Sequence, residues 1–176
     1  MVLSAINRAM VFGEFFPNPG GHPLTMEVRQ RMSMASAFGA EMIGTAILLM
    51  VIFCVTDERN KARPQVLNAA TIGLTVTLLI SLLGPLTMAC FNPARDLAPR
   101  VFSVLAGWQM VPFTANGTGW FTVYVLAPVL GGIMGGAVYR RFFQGAYAAS
   151  SLSEANPKVN NVASGRAERV MEIHRG

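Results

Sequence analysis

The amino-acid sequence predicts an all-α membrane protein with three transmembrane helices and one re-entrant half-helix. Composition is the first observation: 52% of the 176 residues are hydrophobic and only 13% are charged, whereas about a quarter of the residues in a soluble domain are charged. Second, the apolar residues gather in three stretches, each near the ~20 residues that cross a bilayer as a helix. Third, a polar segment, CFNPARD at 90–96, directly follows the second stretch.

Residues 1–33 form a segment of their own before the first apolar stretch. They contain the turn-rich sequence FFPNPGGHP, which does not favour a helix. We expect an outer loop here, with His22 solvated. We also expect no signal peptide, because a basic region before the apolar residues and a small-residue cleavage site are both missing.

The three spans are predicted at about 35–55, 66–89 and 120–143. The first contains Glu41, a carboxylate that is costly inside a bilayer and therefore a functional candidate. Two interpretations stay open. Glu41 is buried and accepts hydrogen bonds from backbone amides of the re-entrant segment, or it lies near the edge of the span and extends to the interface. The third span carries GGIMGG at 131–136, whose small residues four apart allow close helix packing.

Basic residues at the ends of the spans explain the net charge of +5, so the charge does not indicate a nucleic-acid partner. Arg59, Lys61 and Arg63 follow the first span, and Arg140 and Arg141 follow the third. Basic residues gather on the cytoplasmic side of a membrane. We therefore expect the loop after the first span and the C-terminus to be cytoplasmic.

The opposite side and the tail follow from the same pattern. Residues 101–119 carry no charge, so the 106–119 segment is predicted to lie outside. The predicted membrane domain covers 34–143. Residues 144–176 are polar and mixed in charge, and we expect a mostly disordered cytoplasmic tail.

No residue pattern indicates an enzyme or a cofactor. Cys54 and Cys90 both lie in apolar surroundings and are interpreted as small core residues. No Cys/His spacing fits a metal site, and no nucleophile or acid–base pair is evident. The sequence therefore favours a membrane protein that acts without a cofactor.

The polar segment after the second span is explained if it lies inside the protein at membrane depth. Irregular backbone is tolerated there only where it is buried or lines a water-filled cavity, so we expect residues 84–92 to line one. Pro93 suits the first position of a helix and Asn92 its N-cap. A half-helix at about 93–105 then begins with its positive end in the membrane interior.

Asn92 and Arg95 would together bind the oxygens of water and hydroxyl groups while repelling cations and protons. The alternative interpretation is a surface loop capped by proline, in which Arg95 and Asp96 form a local ion pair. The position between two apolar spans favours the first interpretation.

The same stretches resemble the aquaporin and glycerol-facilitator family. FNPARDLAPRVFSVLAGW is similar to the second signature loop of that family, and AFGAEMIGTAILLMVIFCVTDERN to its fourth membrane helix, including a buried Glu. IGLTVTLLISLLGPLT resembles the fifth helix and VLAPVLGGIMGGAVYRRF the sixth. The resemblance covers about 13–143 and implies the second repeat of the aquaporin fold, in a multi-pass protein of the plasma membrane.

The resemblance also implies the site residues. Pore and selectivity roles would fall to residues of the signature loop and of the filter, namely Asn92, Pro93, Ala94, Arg95, Ile80 and Ala89. Structural support would come from Glu41 and Asp96. Asp96 and Arg100 are closer to the glycerol-facilitator branch. Ala89 replaces an aromatic residue of many glycerol facilitators, and Tyr124 is closer to the water-channel pattern.

The implied function is a channel, or half of one, for passive passage of glycerol, water or similar small neutral solutes. The family has six helices and two Asn-Pro-Ala loops, whereas this sequence has one, at 92–94. It therefore resembles a C-terminal half. The alternative is a non-conducting fragment or a split-gene half that needs a partner N-terminal half. The resemblance further implies a homotetramer in the lipid bilayer.

Overall fold

A computed structural model describes residues 33–60, 64–114 and 117–155 of the chain. The predicted outer loop with His22, the basic residues Lys61 and Arg63, and residues 156–176 of the predicted tail lie outside these residues. The described residues form seven α-helices, which are α1 Met34–Thr56, α2 Leu67–Thr87, α3 Pro93–Ser103, α4 Val111–Thr114, α5 Gly119–Phe121, α6 Ala127–Phe142 and α7 Gln144–Ala155.

Three helical segments of the described residues are long and apolar enough to cross a membrane: Met34–Thr56, Leu67–Thr87 and Gly119–Leu152. The third is continuous because a π-helical turn, Thr122–Leu126, joins α5 to α6. The short α3 lies between the second and third segments. The predicted fold class, an all-α protein with three spans and a half-helix, is confirmed.

The core of the molecule is a parallel pair formed by α1 and α6, which make the most extensive helix contact among the described residues. Near the start of the pair, the hydroxyl of Thr122 lies 3.5 Å from Met34 Sδ. At the far end, the hydroxyl of Tyr139 donates to Asp57 Oδ2. A Cβ at Gly131 or Gly135 would collide with a backbone carbonyl of α1, so the small residues permit the close approach that the sequence predicted.

The π-helical turn before α6 orients the buried face of the third segment. Pro128 has no amide hydrogen for the carbonyl four residues earlier, and wide turns of this kind are a common way to accommodate an interruption. Val123, Tyr124 and Ala127 each have 0% of their surface exposed. The turn thus directs a continuous set of side chains into the interior beside α1.

Helix α2 lies antiparallel to α1 on its other side, with most of its surface exposed; only Leu79 and Thr87 are buried. Its hydroxyl groups before Thr87 bond within the helix: Thr75 Oγ1 donates to Thr71 O at 2.8 Å and Ser81 Oγ to Thr77 O at 2.8 Å. These internal bonds satisfy polar groups that would be costly in lipid.

The end of α2 differs from the prediction that irregular backbone starts at Gly84. The helix continues through Pro85 to Thr87, and Met88 N donates to Gly84 O at 2.9 Å. A proline removes one helical hydrogen bond, and here only two further residues of the helix follow it. The irregular loop is therefore confined to residues 88–92.

Helix α7 also differs from the prediction, because its twelve residues belong to the segment expected to be disordered. Its sequence, QGAYAASSLSEA, is rich in alanine, the strongest helix former. It follows α6 after a single residue, Phe143, so the chain continues an existing helix rather than starting a new one. The proposed division into three segments stays a prediction.

The loop after α1 folds back onto the end of the helix pair. Asp57 Oδ1 accepts from the backbone N and Nε of Arg59, both at 2.9 Å, and Oδ2 accepts from Arg59 Nη2 at 2.9 Å. The hydrogen bonds from Arg59 hold the pKa of Asp57 well below its usual value. Asn60 Nδ2 donates to Cys54 O at 2.9 Å. This end of α1 is thus fixed beside α6.

Candidate pore-lining site

The loop between α2 and α3 has a strained backbone. Three residues other than glycine have positive φ angles: Met88 at 69°, Ala89 at 52° and Phe91 at 53°. Such conformations cost of order 1–3 kcal/mol each and persist only where the surroundings hold them. The contacts that hold this loop therefore determine whether the site exists.

Glu41 is the main contact of the loop. Its side chain is fully buried, with 0% of the residue exposed. Oε1 accepts from Thr87 Oγ1 at 2.5 Å and from Cys90 N at 3.0 Å, and Oε2 accepts from Phe91 N at 2.7 Å. The carboxylate thus satisfies two amides of the irregular backbone, as the first of the two sequence interpretations describes, and does not extend to the interface.

The orientation of these amides determines where the carbonyls of the loop point. In a trans peptide the N–H and C=O are directed to opposite sides. Because Cys90 N and Phe91 N point to Glu41, the carbonyls of Ala89 and Cys90 point the other way. Arg95 Nη1 lies on that side, 2.8 Å from Ala89 O and 3.5 Å from Cys90 O.

Helix α3 begins at this loop with the predicted cap. Asn92 Oδ1 accepts from Ala94 N at 2.9 Å, and Pro93 occupies the first turn. Since the oxygen of the amide faces the helix, the Nδ2 hydrogens lie on the other side of the side chain. The three residues Asn92, Ala94 and Arg95 are all exposed. The positive end of α3 is therefore accessible from outside the described residues.

A groove of about 300 Å³ lies beside the start of α3. It brings together four of the predicted site residues, Ile80, Ala89, Asn92 and Arg95. Pro93 lines a neighbouring cavity of about 530 Å³ between α1 and α6. The remaining wall of the groove is apolar and consists mainly of Leu48, Leu49, Ile52 and Val76. The groove therefore has one polar and one apolar side.

Asp96 lies away from the groove in a buried ion pair. Its Oδ2 accepts from Arg100 Nε at 2.7 Å, and both side chains are 0% exposed. Arg100 Nη1 also donates to Pro112 O. Such burial does not fit the alternative of a proline-capped surface loop. The pair connects α3 to the segment that leads toward the third span.

Thr87 and Tyr124 belong to the support of the loop, although the sequence reasoning assigned them no such role. Thr87 Oγ1 donates to Glu41 and accepts from Ala89 N at 3.3 Å, while Tyr124 Oη donates to Thr87 O at 3.0 Å. One signal for Thr87 was available, because it is a hydroxyl residue close to the end of the second predicted span. No such signal identifies the hydrogen bond from Tyr124 to Thr87, because the two residues are 37 positions apart and only tertiary packing brings them together.

Residues 2–139 match the family described as Major intrinsic protein. The chain belongs to this family. The resemblance stated from the sequence is thus confirmed, and the members of the family are channels rather than enzymes.

Individual relatives agree with this assignment of the Major intrinsic protein family. Aquaporin-9 of Homo sapiens is 35% identical over 132 residues, which cover 75% of this chain and 43% of the relative. The glycerol uptake facilitator protein of Escherichia coli K12 is 34% identical over 142 residues, or 80% of this chain and 47% of the relative. The chain thus spans less than half the length of these relatives.

A solved structure supports the fold. The aquaglyceroporin from Plasmodium falciparum superposes with a TM-score of 0.60 and 28% sequence identity, over 68% of this chain and 49% of that one. Together with the three apolar helices, the family match establishes this member of the Major intrinsic protein family as an integral membrane protein.

Proposed function

We propose that the chain forms one wall of a transmembrane channel through which glycerol, water or similar small neutral solutes pass passively. The observation that carries the proposal is the groove where Asn92 and Arg95 meet at the open start of α3. The relatives named glycerol uptake facilitator and aquaporin support a channel for such solutes.

The two sides of the groove suit a small polyol. Asn92 and Arg95 offer hydrogen-bond donors to hydroxyl oxygens, while Leu49, Ile52 and Ile80 offer apolar surface to the carbon chain. Cations are disfavoured by the charge of Arg95 and by the positive end of α3. No step requires a cofactor, because solutes move down their own gradient.

A complete pore needs a second wall opposite Asn92. In the described residues, Asn92, Ala94 and Arg95 are exposed, and an exposed polar surface is costly in contact with lipid. We infer that an N-terminal half of the same family, in another chain or in a longer polypeptide, covers the groove. Without it, the chain is a non-conducting fragment. Assembly as a homotetramer is part of the proposal, by analogy with the family.

We place this channel in the plasma membrane with its C-terminus in the cytoplasm. The contact between Asp57 and Tyr139 brings the ends of α1 and α6 together. Arg59 and Arg140–Arg141 therefore lie at the same end of the molecule. Basic residues favour the cytoplasmic side of a membrane, so this end is the cytoplasmic one.

The lone chain is expected not to conduct. Proteoliposomes containing residues 1–176 alone should shrink no faster in a glycerol gradient than empty vesicles, whereas co-expression with an N-terminal half should restore rapid shrinkage. Stopped-flow light scattering measures both rates. Fast glycerol or water flux from the lone chain would contradict the need for a second wall, and no flux from either preparation would contradict the channel itself.

In the completed channel, Arg95→Val is expected to weaken proton and cation exclusion and to admit larger solutes. The substitution removes the charge and the donors that lie over the loop carbonyls. A pH-sensitive dye inside the vesicles measures proton entry, and the rates at which shrunken vesicles re-swell in polyols of increasing size measure selection. Arg141→Val, outside the groove, is the control. Proton exclusion and solute selection equal to those of the control would disprove a filter role for Arg95.

A further inference from the structure

The phenyl ring of Phe91, in the irregular loop, packs directly on Gly44 of α1. We call this contact the seat of the ring. The phenyl ring lies against the bare backbone of Gly44: a Cβ there would lie 2.8 Å from Cζ and 2.9 Å from Cδ1 of Phe91, inside the contact distance. A Cβ added at Gly39, on the same helix, would meet no atom of another part of the described chain within 4 Å. The contact is therefore particular to Gly44.

The position of the ring is fixed from three directions. Phe91 N donates to Glu41 Oε2 at 2.7 Å, and its φ angle of 53° determines where Cβ points. The ring is 6% exposed and packs against Leu79 and Ala89. Interiors packed in this way absorb an added methyl group only by moving side chains or backbone. A larger residue at position 44 would therefore displace the ring and strain the loop that carries it.

Phe91 also stands at the boundary between the two cavities of the site. Both the groove of about 300 Å³ and the neighbouring cavity of about 530 Å³ include Leu49, Phe91 and Asn92 in their linings. Asn92, the next residue along the chain, carries the exposed amide. The position of the ring therefore determines the width of the groove beside Asn92. Ala89 and Cys90, which also belong to the loop and line the groove, have smaller side chains than Phe91.

We propose that Gly44 and Phe91 form a size-determining pair: the ring of Phe91, seated on Gly44, limits how large a polyol passes Asn92. This inference rests on the proposed channel function. Gly44→Ala displaces the ring into one of the adjoining cavities and distorts the loop. Phe91→Ala removes the ring and widens the groove.

The first test reads the position of the loop without requiring any flux. The chain has two cysteines, and in a Cys54→Ser background Cys90 is the only thiol. Cys90 lies directly before Phe91 and is 3% exposed. In the detergent-solubilised chain, Gly44→Ala is expected to raise the rate at which a small methanethiosulfonate labels Cys90 by roughly ten- to a hundredfold. The reason is that overpacking destabilises the closed loop relative to a locally opened form in which Cys90 is accessible.

Matched variants isolate the contact. Gly39→Ala, on the same helix, should leave the labelling rate unchanged. Adding Phe91→Leu to Gly44→Ala makes room for the new methyl group and should return the rate toward that of the parent. If Gly44→Ala does not fold, recovery of folded protein in this double variant takes its place as the readout. An unchanged rate in Gly44→Ala, or a double variant no better than the single, overturns the seating of the ring.

The second test measures size selection in the completed channel. Phe91→Ala is expected to raise the permeability to a five-carbon polyol, relative to glycerol, by about tenfold, as enlargement of an apolar pocket does. Phe142→Ala, at a ring that is 66% exposed, is the control. An unchanged ratio with intact glycerol flux overturns the size-determining role. Absence of flux from the parent channel would instead count against the proposed function, while the thiol test still decides the contact.

Discussion

Glu41→Ala is expected to destabilise the protein more than any other single substitution in the site. It removes the acceptors of Cys90 N, Phe91 N and the hydroxyl of Thr87. Each buried donor left unsatisfied costs about 1–3 kcal/mol, and the strained loop loses its main contact. We expect a large fall in the melting temperature in detergent, with loss of monodisperse protein and of flux in the completed channel.

Two further variants serve as a control and as an intermediate case for the Glu41→Ala experiment. Glu58→Ala removes an exposed carboxylate just beyond α1 and should leave the melting temperature unchanged, because exposed charges contribute little. Glu41→Gln keeps one acceptor oxygen and should lie between the parent and the alanine variant. Equal melting temperatures for Glu41→Ala and the parent would show that the loop is held by other contacts.

Asp96→Ala is expected to cost about 3–5 kcal/mol, the usual effect of removing one partner from a buried ion pair. The charge of Arg100 would stay buried without its counter-charge, at a site that is 0% exposed. Because Arg100 also donates to Pro112 O, the chain after α3 should loosen together with the pair. Thermal unfolding measures the loss, and limited proteolysis locates it in the segment around Pro112.

A double substitution distinguishes the charge from the packing in this pair. Replacing both residues with apolar ones, Asp96→Leu with Arg100→Met, removes the uncompensated charge and should recover much of the stability. An Asp96→Ala variant that melts like the parent, with unchanged proteolysis around Pro112, would mean that Arg100 does not depend on Asp96.

The features that depend on a few neighbouring residues could be predicted from the sequence. Apolar runs of bilayer length predicted the three spans, and Asn92 followed by Pro93 predicted the cap and start of α3, because both signals lie within a few residues. Glycines four apart in the third span predicted a close helix contact. The same reasoning placed a polar wall at Asn92 and Arg95.

Other features depend on contacts between distant segments. The residues that Glu41 binds lie 46 to 50 positions further along the chain, so the sequence alone is compatible with both interpretations of Glu41. Pro85 suggested that α2 ends early, but a proline two residues before the end of a helix removes only one of its hydrogen bonds. Similarly, no local signal marks the contact of Phe91 with Gly44, since Gly39 lies on the same helix and a Cβ added there would meet nothing within 4 Å.

The parallel pairing of α1 with α6 has a consequence for biosynthesis. Asp57 and Tyr139, which join the ends of the pair, are 82 residues apart in the chain. At ~5–20 residues per second, about 4–16 s pass between the translation of one end and the other. During this interval nascent α1, with Glu41 in its apolar length, lacks α6, and of the helices that pack on it in the described residues only the sparsely packed α2 can be beside it. We therefore expect the yield of inserted protein to depend on how long the insertion machinery retains α1 before α6 is translated.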